Sequence, residues 1–266
     1  MRSNSLTAWL AAGHAAVGGW LSMDSPYLAE QLSYAGFDCV TVDLQHGMFG
    51  LDRAITLLQA VSAGPAVPLA RCPSHDPATI GKLLDAGAYG IICPAVDTAA
   101  QAAAFVAACR YPPLGIRSFG PSRGLLYGGP DYFEHADATV LALAMIESQP
   151  ALDNLDAILA TPGLDGIFVG PNDLALALGE RPGQREPGER TAAALHRIVD
   201  AAQRAGRIAG IFCADGQIAH QQVDRGFNLV VPGNDAGMVR QIARERVAAA
   251  RGLDASQRPA AGGSGY

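Results

Sequence analysis

The sequence has few cysteines and no cluster of basic residues, and each absence removes a class of protein. Its five cysteines lie far apart in 266 residues, and none forms a C-x-x-C pair. We therefore exclude zinc fingers and disulfide scaffolds, and we expect reduced thiols in a cytoplasmic protein. The net charge is −6 without any run of lysine or arginine, whereas nucleic-acid-binding proteins carry a basic stripe. Nucleic acid is therefore not expected as a partner.

Long apolar runs are also missing, since no segment reaches the roughly 20 residues that a membrane span requires. Residues 6–20 are apolar, but Gly13 and His14 interrupt them and no polar cleavage region follows. We expect neither a membrane span nor a signal peptide. Residues 252–266 are small and polar, which predicts a flexible tail after a domain of residues 1–251.

What the sequence does contain is a regular alternation of short β-branched runs and Ala/Leu-rich helical patterns. The predicted strands are 17–22, 39–43, 67–71, 90–94, 140–147, 166–170, 208–213 and 228–231. The helical patterns that follow them are 27–34, 51–60, 78–85, 99–109, 152–159, 189–204, 218–224 and 236–251. The stretch 111–133, which is rich in glycine and proline, is predicted to be irregular.

Strict alternation of strand and helix implies parallel strands joined by crossover helices. Eight such units predict a single-domain (β/α)8 barrel, the TIM barrel, a fold that typically takes about 250 residues. A doubly wound open sheet is the rival architecture. It is disfavoured because no G-x-G-x-x-G sequence opens a helix and because the number of units reaches eight.

Functional side chains of such barrels come from the carboxyl ends of several strands. Four strand ends carry such groups here: His46, Arg71, Glu147, and the turn Gly170-Pro171-Asn172-Asp173. Two carboxylates without neighbouring cysteines favour a hard divalent cation such as Mg²⁺ or Mn²⁺. An arginine can stabilise charge on a substrate oxygen, and a histidine can act as acid and base near neutral pH. The pattern predicts a metal site for a small anion rich in oxygen.

Each of these residues also has a purely structural interpretation. Glu147 could pair with Arg71 inside the barrel, Asp173 could be the N-cap of a short helix, and His46 could be a hydrogen-bonded loop residue. His75 is a weaker site candidate because it follows Arg71 closely. The functional interpretation is favoured because four strand ends agree.

At these residues the sequence resembles the HpcH/HpaI family of class II pyruvate aldolases, also called 2,4-dihydroxyhept-2-ene-1,7-dioate aldolase-like. The resemblance covers residues 18–237. It rests on GFD at 36–38, DLQHG at 43–47, Arg71, PAVDT at 94–98, YPPLGIR at 111–117, IE at 146–147, ALDNLD at 151–156 and GIFVGPNDL at 166–174.

The resemblance implies a reversible aldol cleavage of 4-hydroxy-2-oxo acids to pyruvate and an aldehyde through a metal-stabilised enolate. Glu147 and Asp173 would hold the divalent cation, which would be Mg²⁺ or Mn²⁺, with Co²⁺ as a further candidate. Arg71 would stabilise charge on the keto oxygen, and His46 would be the acid and base. A class I mechanism with a lysine Schiff base is excluded, because the only lysine, Lys82, lies on a predicted helix.

The resemblance also implies where the rest of the substrate would lie. Main-chain N–H groups near Asn172 and Asp173, in the turn Gly170-Pro171-Asn172-Asp173, would bind the pyruvate carboxylate. Residues 117–127 and Phe212 would line the aldehyde side. Gln45, where many relatives have glutamate, and Met145, where some have a polar residue, are departures from the family pattern. The identity of the aldehyde therefore stays open.

Asp85 is similar to the aspartate that partners the acid and base histidine in the family. It ends the helix after the third strand, at the opposite end of its own barrel, so it would reach His46 only from a neighbouring subunit. The resemblance implies a homo-oligomer, a hexamer built as a dimer of trimers.

Two other hypotheses stay open beside the aldolase. One is a lyase of the same superfamily that acts on a CoA thioester, which would need a basic groove that the sequence does not indicate near the site. The other is a barrel that has lost catalysis and serves as a binding or structural protein.

Overall fold

Eight parallel strands close into a barrel in the computed structural model, which describes residues 1–253. The strands are β1 (Ala16–Leu21), β2 (Cys39–Asp43), β3 (Val67–Arg71), β4 (Gly90–Cys93), β5 (Leu141–Ile146), β6 (Gly166–Val169), β7 (Ile208–Cys213) and β8 (Leu229–Pro232). Each strand pairs in parallel with the next, and β1 pairs with β8. The (β/α)8 prediction is confirmed, and the open-sheet alternative is wrong.

Thirteen helices accompany these strands within residues 1–253. They are α1 (Ser5–Ala11), α2 (Pro26–Ser33), α3 (Leu51–Ser62), α4 (Pro77–Asp85), α5 (Ala99–Cys109), α6 (Ser122–Gly128), α7 (Tyr132–Thr139), α8 (Gln149–Asp153), α9 (Leu155–Leu159), α10 (Pro171–Ala177), α11 (Glu189–Arg204), α12 (Gly216–Asp224) and α13 (Asp235–Ala250). Most predicted helices match, but residues 152–159 fall into the two short helices α8 and α9.

The prediction of an irregular segment at 111–133 is wrong, because α6 and the first residues of α7 lie within it. Two glycines of α6, Gly124 and Gly128, lower its intrinsic helix propensity. Both are buried against the ring of Tyr132 on α7, where a Cβ on Gly128 would lie 2.5 Å from that ring. Packing against Tyr132 therefore requires glycine at positions 124 and 128. Because glycine disfavours helix, the sequence did not indicate α6.

Helix α1 was also not predicted, and it closes the amino end of the barrel. Its Leu6 is fully buried and packs in the same cluster as Val67 and Leu141, which begin β3 and β5. Asn4, just before the helix, donates a hydrogen bond of 2.9 Å from its amide to the carbonyl of Thr139. The amino-terminal residues thus contribute to the barrel core.

Successive strand side chains alternate between the barrel interior and the surrounding helices. In β5, Leu141, Leu143 and Met145 belong to the interior cluster, whereas the residues between them pack under the helices. Every residue of β5 is buried, which is typical of a parallel strand covered on both faces. Glu147 follows directly in the inward phase.

The final helix α13 is attached to the barrel through its first residue. Asp235 is buried and accepts hydrogen bonds of 2.8 and 2.7 Å from the backbone N–H and hydroxyl of Ser22, at the end of β1. Residues 254–266, which hold most of the predicted tail, lie outside the described residues. Across residues 1–253, no helix is long and apolar enough to cross a membrane.

A substitution at Gly166 tests the packing between β6 and β7, and a substitution at Gly81 on α4 is its control. Gly166 is opposite Ile208 in the ladder, and a Cβ at position 166 would lie 2.5 Å from the Cβ of Ile208. We expect Gly166→Ala to lower the free energy of unfolding by about 1–3 kcal/mol through overpacking. Gly81→Ala, where a Cβ in helix α4 meets nothing within 4 Å, should raise it by up to about 1 kcal/mol. Urea unfolding of both variants measures the difference, and equal effects would contradict this description of the barrel.

Candidate active site

A small pocket opens at the carboxyl ends of the strands, where the sequence predicted the site. Its volume is about 170 Å³, below the range of roughly 300–1,000 Å³ that is usual for ligand pockets. It is lined by Trp20, His46, Arg71, Met145, Phe168, Gly170, Pro171, Asn172, Asp173 and Phe212. The lining combines aromatic and apolar side chains with polar groups, a combination suited to a small polar ligand.

A larger cavity of about 950 Å³ adjoins this pocket, between α11, the ends of β7 and β8, and α13. The two share only Pro171, Asn172 and Phe212, and His46 and Arg71 line only the small pocket. We assign the chemistry to the small pocket because His46, Arg71 and Asp173 converge there. The greater volume of the other cavity does not by itself indicate a reaction.

Arg71, which lines the pocket, forms a buried, bidentate ion pair with Asp43. The guanidinium Nε and Nη2 donate to the two carboxylate oxygens of Asp43 at 2.7 and 2.6 Å. Asp43 is fully buried and also accepts from the indole N–H of Trp20 at 3.1 Å. The Arg71 guanidinium lies 4.9 Å from the centre of the Trp20 ring. Two side chains, Trp20 on β1 and Asp43 on β2, therefore hold the guanidinium of Arg71 in one orientation.

Asp43 is the functional residue that sequence reasoning missed. The alternative considered there paired Arg71 with Glu147, whereas the bidentate partner of Arg71 is Asp43. A signal was present, because β2 ends in an aspartate, β3 ends in an arginine, and the two residues are in register. Opposite charges at the ends of neighbouring parallel strands indicate such a pair.

Glu147 and Asp173 bring two carboxylates together above Gly170. A Cβ on Gly170 would lie 2.7 Å from Oε2 of Glu147 and 3.7 Å from Oδ2 of Asp173, so the glycine leaves the space that these oxygens share. Burial raises the pKa of Glu147; a hydrogen bond of 2.8 Å from the Ala95 N–H to Oε1 lowers it, and the charge of Asp173 raises it further. Asp173 lies in the first turn of α10, whose N-cap is Gly170, so the N-cap alternative is wrong.

This pair of carboxylates fits a hard divalent cation that binds few protein ligands. Within residues 1–253, no group of three or more histidine, cysteine, aspartate or glutamate side chains is placed to hold a metal ion. Glu147 is buried whereas Asp173 is exposed, and two like charges held close are unfavourable unless a cation or a proton offsets them. Burial is the main cause of the raised pKa of Glu147, and the charge of Asp173 adds to it.

His46 lies at the tip of a tight turn after β2 and is exposed on the rim of the pocket. The backbone N–H of Gly47 donates to the carbonyl of Asp43 at 3.1 Å, and a Cβ on Gly47 would collide with that carbonyl. The same aspartate that holds Arg71 thus begins the turn that presents His46.

Asp85 is not brought to this pocket within the chain. It ends α4, and its carboxylate accepts a hydrogen bond of 2.8 Å from Nη2 of the buried Arg117. Phe212 lines the pocket and residues 117–127 do not, so a place for residues 117–127 on the aldehyde side stays a prediction. The contact of Asp85 with His46 of a neighbouring subunit stays a prediction.

The Asp43–Arg71 pair is tested by a double-mutant cycle. Asp43→Ala should lower the free energy of unfolding by about 3–5 kcal/mol, because it leaves a buried guanidinium uncompensated. The double variant Asp43→Ala/Arg71→Met should lose clearly less than the sum of the single losses. Urea unfolding of all four proteins measures the coupling, and strict additivity would contradict the pair.

The raised pKa of Glu147 predicts a pH-dependent effect of Glu147→Gln on the metal-free protein. Because the folded state binds this proton more tightly than the unfolded state, wild-type stability falls as pH rises from the ordinary value of 4.5 through the raised folded value. Glutamine still accepts the Ala95 N–H but carries no charge. In EDTA at neutral pH, the variant should therefore have the higher melting temperature by calorimetry, and the difference should close below pH 4.5. A constant difference across this range would count against the assignment.

The chain is similar to known proteins over most of its length. The family described as HpcH/HpaI aldolase/citrate lyase matches residues 17–241. A hydroxypyruvate/pyruvate aldolase of Rhizorhabdus wittichii is 41% identical over 91% of this chain and 96% of its own. A 5-keto-4-deoxy-D-glucarate aldolase of Klebsiella pneumoniae is 37% identical over 91% of this chain and 94% of its own.

A solved structure supports the same assignment. A family member from Burkholderia cenocepacia superimposes with a TM-score of 0.87 at 31% identity, covering 94% of this chain and all of its own. Its description names the same aldolase and citrate lyase family. The protein is a carbon–carbon lyase, and the chain belongs to the HpcH/HpaI aldolase/citrate lyase family.

Proposed function

We propose that this lyase is a divalent-metal-dependent class II aldolase that reversibly cleaves 4-hydroxy-2-oxo acids into pyruvate, or a close 2-oxo acid, and an aldehyde. The observation that carries the proposal is the convergence of Arg71, Glu147, Asp173 and the His46 turn on one small pocket. The relatives named hydroxypyruvate/pyruvate aldolase support the 2-oxo acid as substrate.

Glu147 and Asp173 are the residues that would hold the cation, with Mg²⁺ or Mn²⁺ preferred and Co²⁺ as a further candidate. A divalent cation bound there supplies Lewis acidity, which makes the C3 protons of a 2-oxo acid easier to remove. Arg71 would stabilise negative charge on the keto oxygen of the substrate. Because Asp43 fixes the guanidinium through two hydrogen bonds, its positive charge is preorganised for an oxygen on which negative charge develops.

His46 transfers the proton of the hydroxyl group on C4. In the cleavage direction, it takes the proton of the C4 hydroxyl as the C3–C4 bond breaks, which releases the aldehyde and leaves the enolate of pyruvate. A proton then returns to C3 and completes pyruvate. Backbone N–H groups in the first turn of α10, near Asn172 and Asp173, bind the carboxylate, since these groups lack partners within the helix. Gly170 and Pro171 give the substrate room beside them, and Phe212 faces the aldehyde.

The active unit that we propose is a homohexamer in which Asp85 reaches His46 of a neighbouring subunit. Asp85 remains partly exposed beside Arg117. Ile116, Phe119 and Phe133 are large, exposed apolar residues in the segment between α5 and β5, which also contains Arg117. Exposed apolar residues in one segment support a protein contact there. A cytoplasmic location stays a prediction, as does the single-domain boundary at residue 251.

A lyase of a CoA thioester is the second candidate, and one observation favours it. Sequence analysis indicated no basic groove near the site, yet Arg181, Arg185, Arg240 and Arg244 line the larger cavity that adjoins the pocket. Arg185 is partly offset by Asp215, to which it donates at 2.7 Å. We rank this candidate second because the relatives that share more than a third of the sequence are named aldolases.

The first test is exchange of the pyruvate methyl protons for deuterium, followed by NMR. Metal-stripped enzyme should give no exchange, and Mn²⁺ or Mg²⁺ should restore it. Glu147→Ala should abolish exchange, because only one carboxylate would remain for the cation. No exchange with any metal would remove the pyruvate proposal and favour the thioester or the non-catalytic hypothesis.

His46 is tested in the cleavage direction with a 4-hydroxy-2-oxo acid. His46→Ala should lower kcat by about 10²–10⁴-fold, the usual contribution of a general acid or base. His196→Ala, an exposed histidine on α11, is the matched control and should leave kcat unchanged. Equal activity of both variants would exclude His46 as the acid and base.

A further inference from the structure

One peptide group connects His75 to Glu147. The carbonyl oxygen of Pro94 lies 2.7 Å from Nε2 of His75, and the N–H of Ala95, in the same peptide, donates to Oε1 of Glu147 at 2.8 Å. Because a carbonyl can only accept, Nε2 of His75 carries the proton. The two side chains are thus bonded to opposite edges of one peptide plane.

The backbone at this peptide is held in an unfavourable conformation. Ala95 has a φ of 52°, and it is the only non-glycine residue with positive φ in residues 1–253. A side chain disfavours this left-handed region, so such a residue persists only where its surroundings impose it. On the far side of the turn, Ser148 donates to the carboxylate of Asp97, and Asn154 donates to the carbonyl of Asp97 at 2.9 Å. His75 supplies the bond on the near side.

The orientation of the Glu147 carboxylate depends on this peptide. Since the Ala95 N–H engages Oε1, the other oxygen, Oε2, is the one directed to the space above Gly170 beside Asp173. A hydrogen bond accepted by the carbonyl also polarises the peptide and strengthens its N–H as a donor. His75 acts on both the position and the strength of the bond that aligns Glu147.

We propose that His75 is a positioning residue of the metal site, which holds the Pro94–Ala95 peptide so that its N–H aligns Glu147 for the cation. The inference rests on the proposed role of Glu147 as a metal ligand. His75 would contact neither the cation nor the substrate. Mutation of a group that orients a metal ligand in this way commonly lowers metal affinity by about 10–100-fold.

The test is Mn²⁺ binding to the metal-stripped full chain by titration calorimetry, together with the melting temperature in EDTA. Two variants of similar length are compared: His75→Gln, whose amide can donate at the same position, and His75→Met, which has no donor. We expect His75→Met to weaken Mn²⁺ binding at least about 10-fold and His75→Gln to restore most of the affinity. His220→Met, an exposed histidine on α12, is the control and should bind Mn²⁺ as the wild type does.

A merely structural histidine gives a different result. His75→Met would then lower the melting temperature while Mn²⁺ affinity stayed at the wild-type value, and this outcome overturns the inference. Equal weakening in His75→Gln and His75→Met overturns it too, because the donor would not matter. If the wild type itself binds no Mn²⁺, the metal site of the proposed function fails, and the inference fails with it.

Discussion

A β-strand presents only every second side chain to the inside of a barrel, and the arrangement of this site depends on that constraint. Asp43 and Arg71 complete their strands in the inward phase, and Glu147 follows β5 in the same phase. The apolar residues below them fill the interior, which leaves the polar groups at the mouth as the accessible end of a packed core. The parallel register between β2 and β3 then places Asp43 beside Arg71.

Burial affects the two acidic groups of this site, Asp43 and Glu147, in different ways. The Asp43–Arg71 pair lies out of water, where each charge depends on the other for compensation. Glu147 has no comparable cationic partner in a bidentate bond, and its raised pKa reflects burial that a single backbone N–H offsets only in part. The protein therefore compensates one of its buried acidic groups internally, whereas the other, beside Asp173, is suited to an ion from outside.

The immediate surroundings of these groups are fitted to them by small backbone features. Gly170 leaves room for two carboxylate oxygens, and Ala95 adopts a left-handed conformation to direct its N–H at one of them. Neither feature adds a functional side chain. Both concern where the main chain can approach a carboxylate, and both lie in turns directly after strands, where the backbone is free of the sheet ladder.

The sequence by itself determined the barrel and most of the residues at its mouth, because strand and helix periodicities are local and the observed strands begin and end within one residue of the predicted ones. His46, Arg71, Glu147 and Asp173 were recognisable because each stands next to an apolar run. Only the tertiary structure decided that Arg71 pairs with Asp43, that Asp85 pairs with Arg117, and that His75 and Glu147 share a peptide. It also decided that α6 is a helix, since two glycines became favourable only against Tyr132. These features arise from contacts between segments distant in the chain, and periodicity carries no information about such contacts.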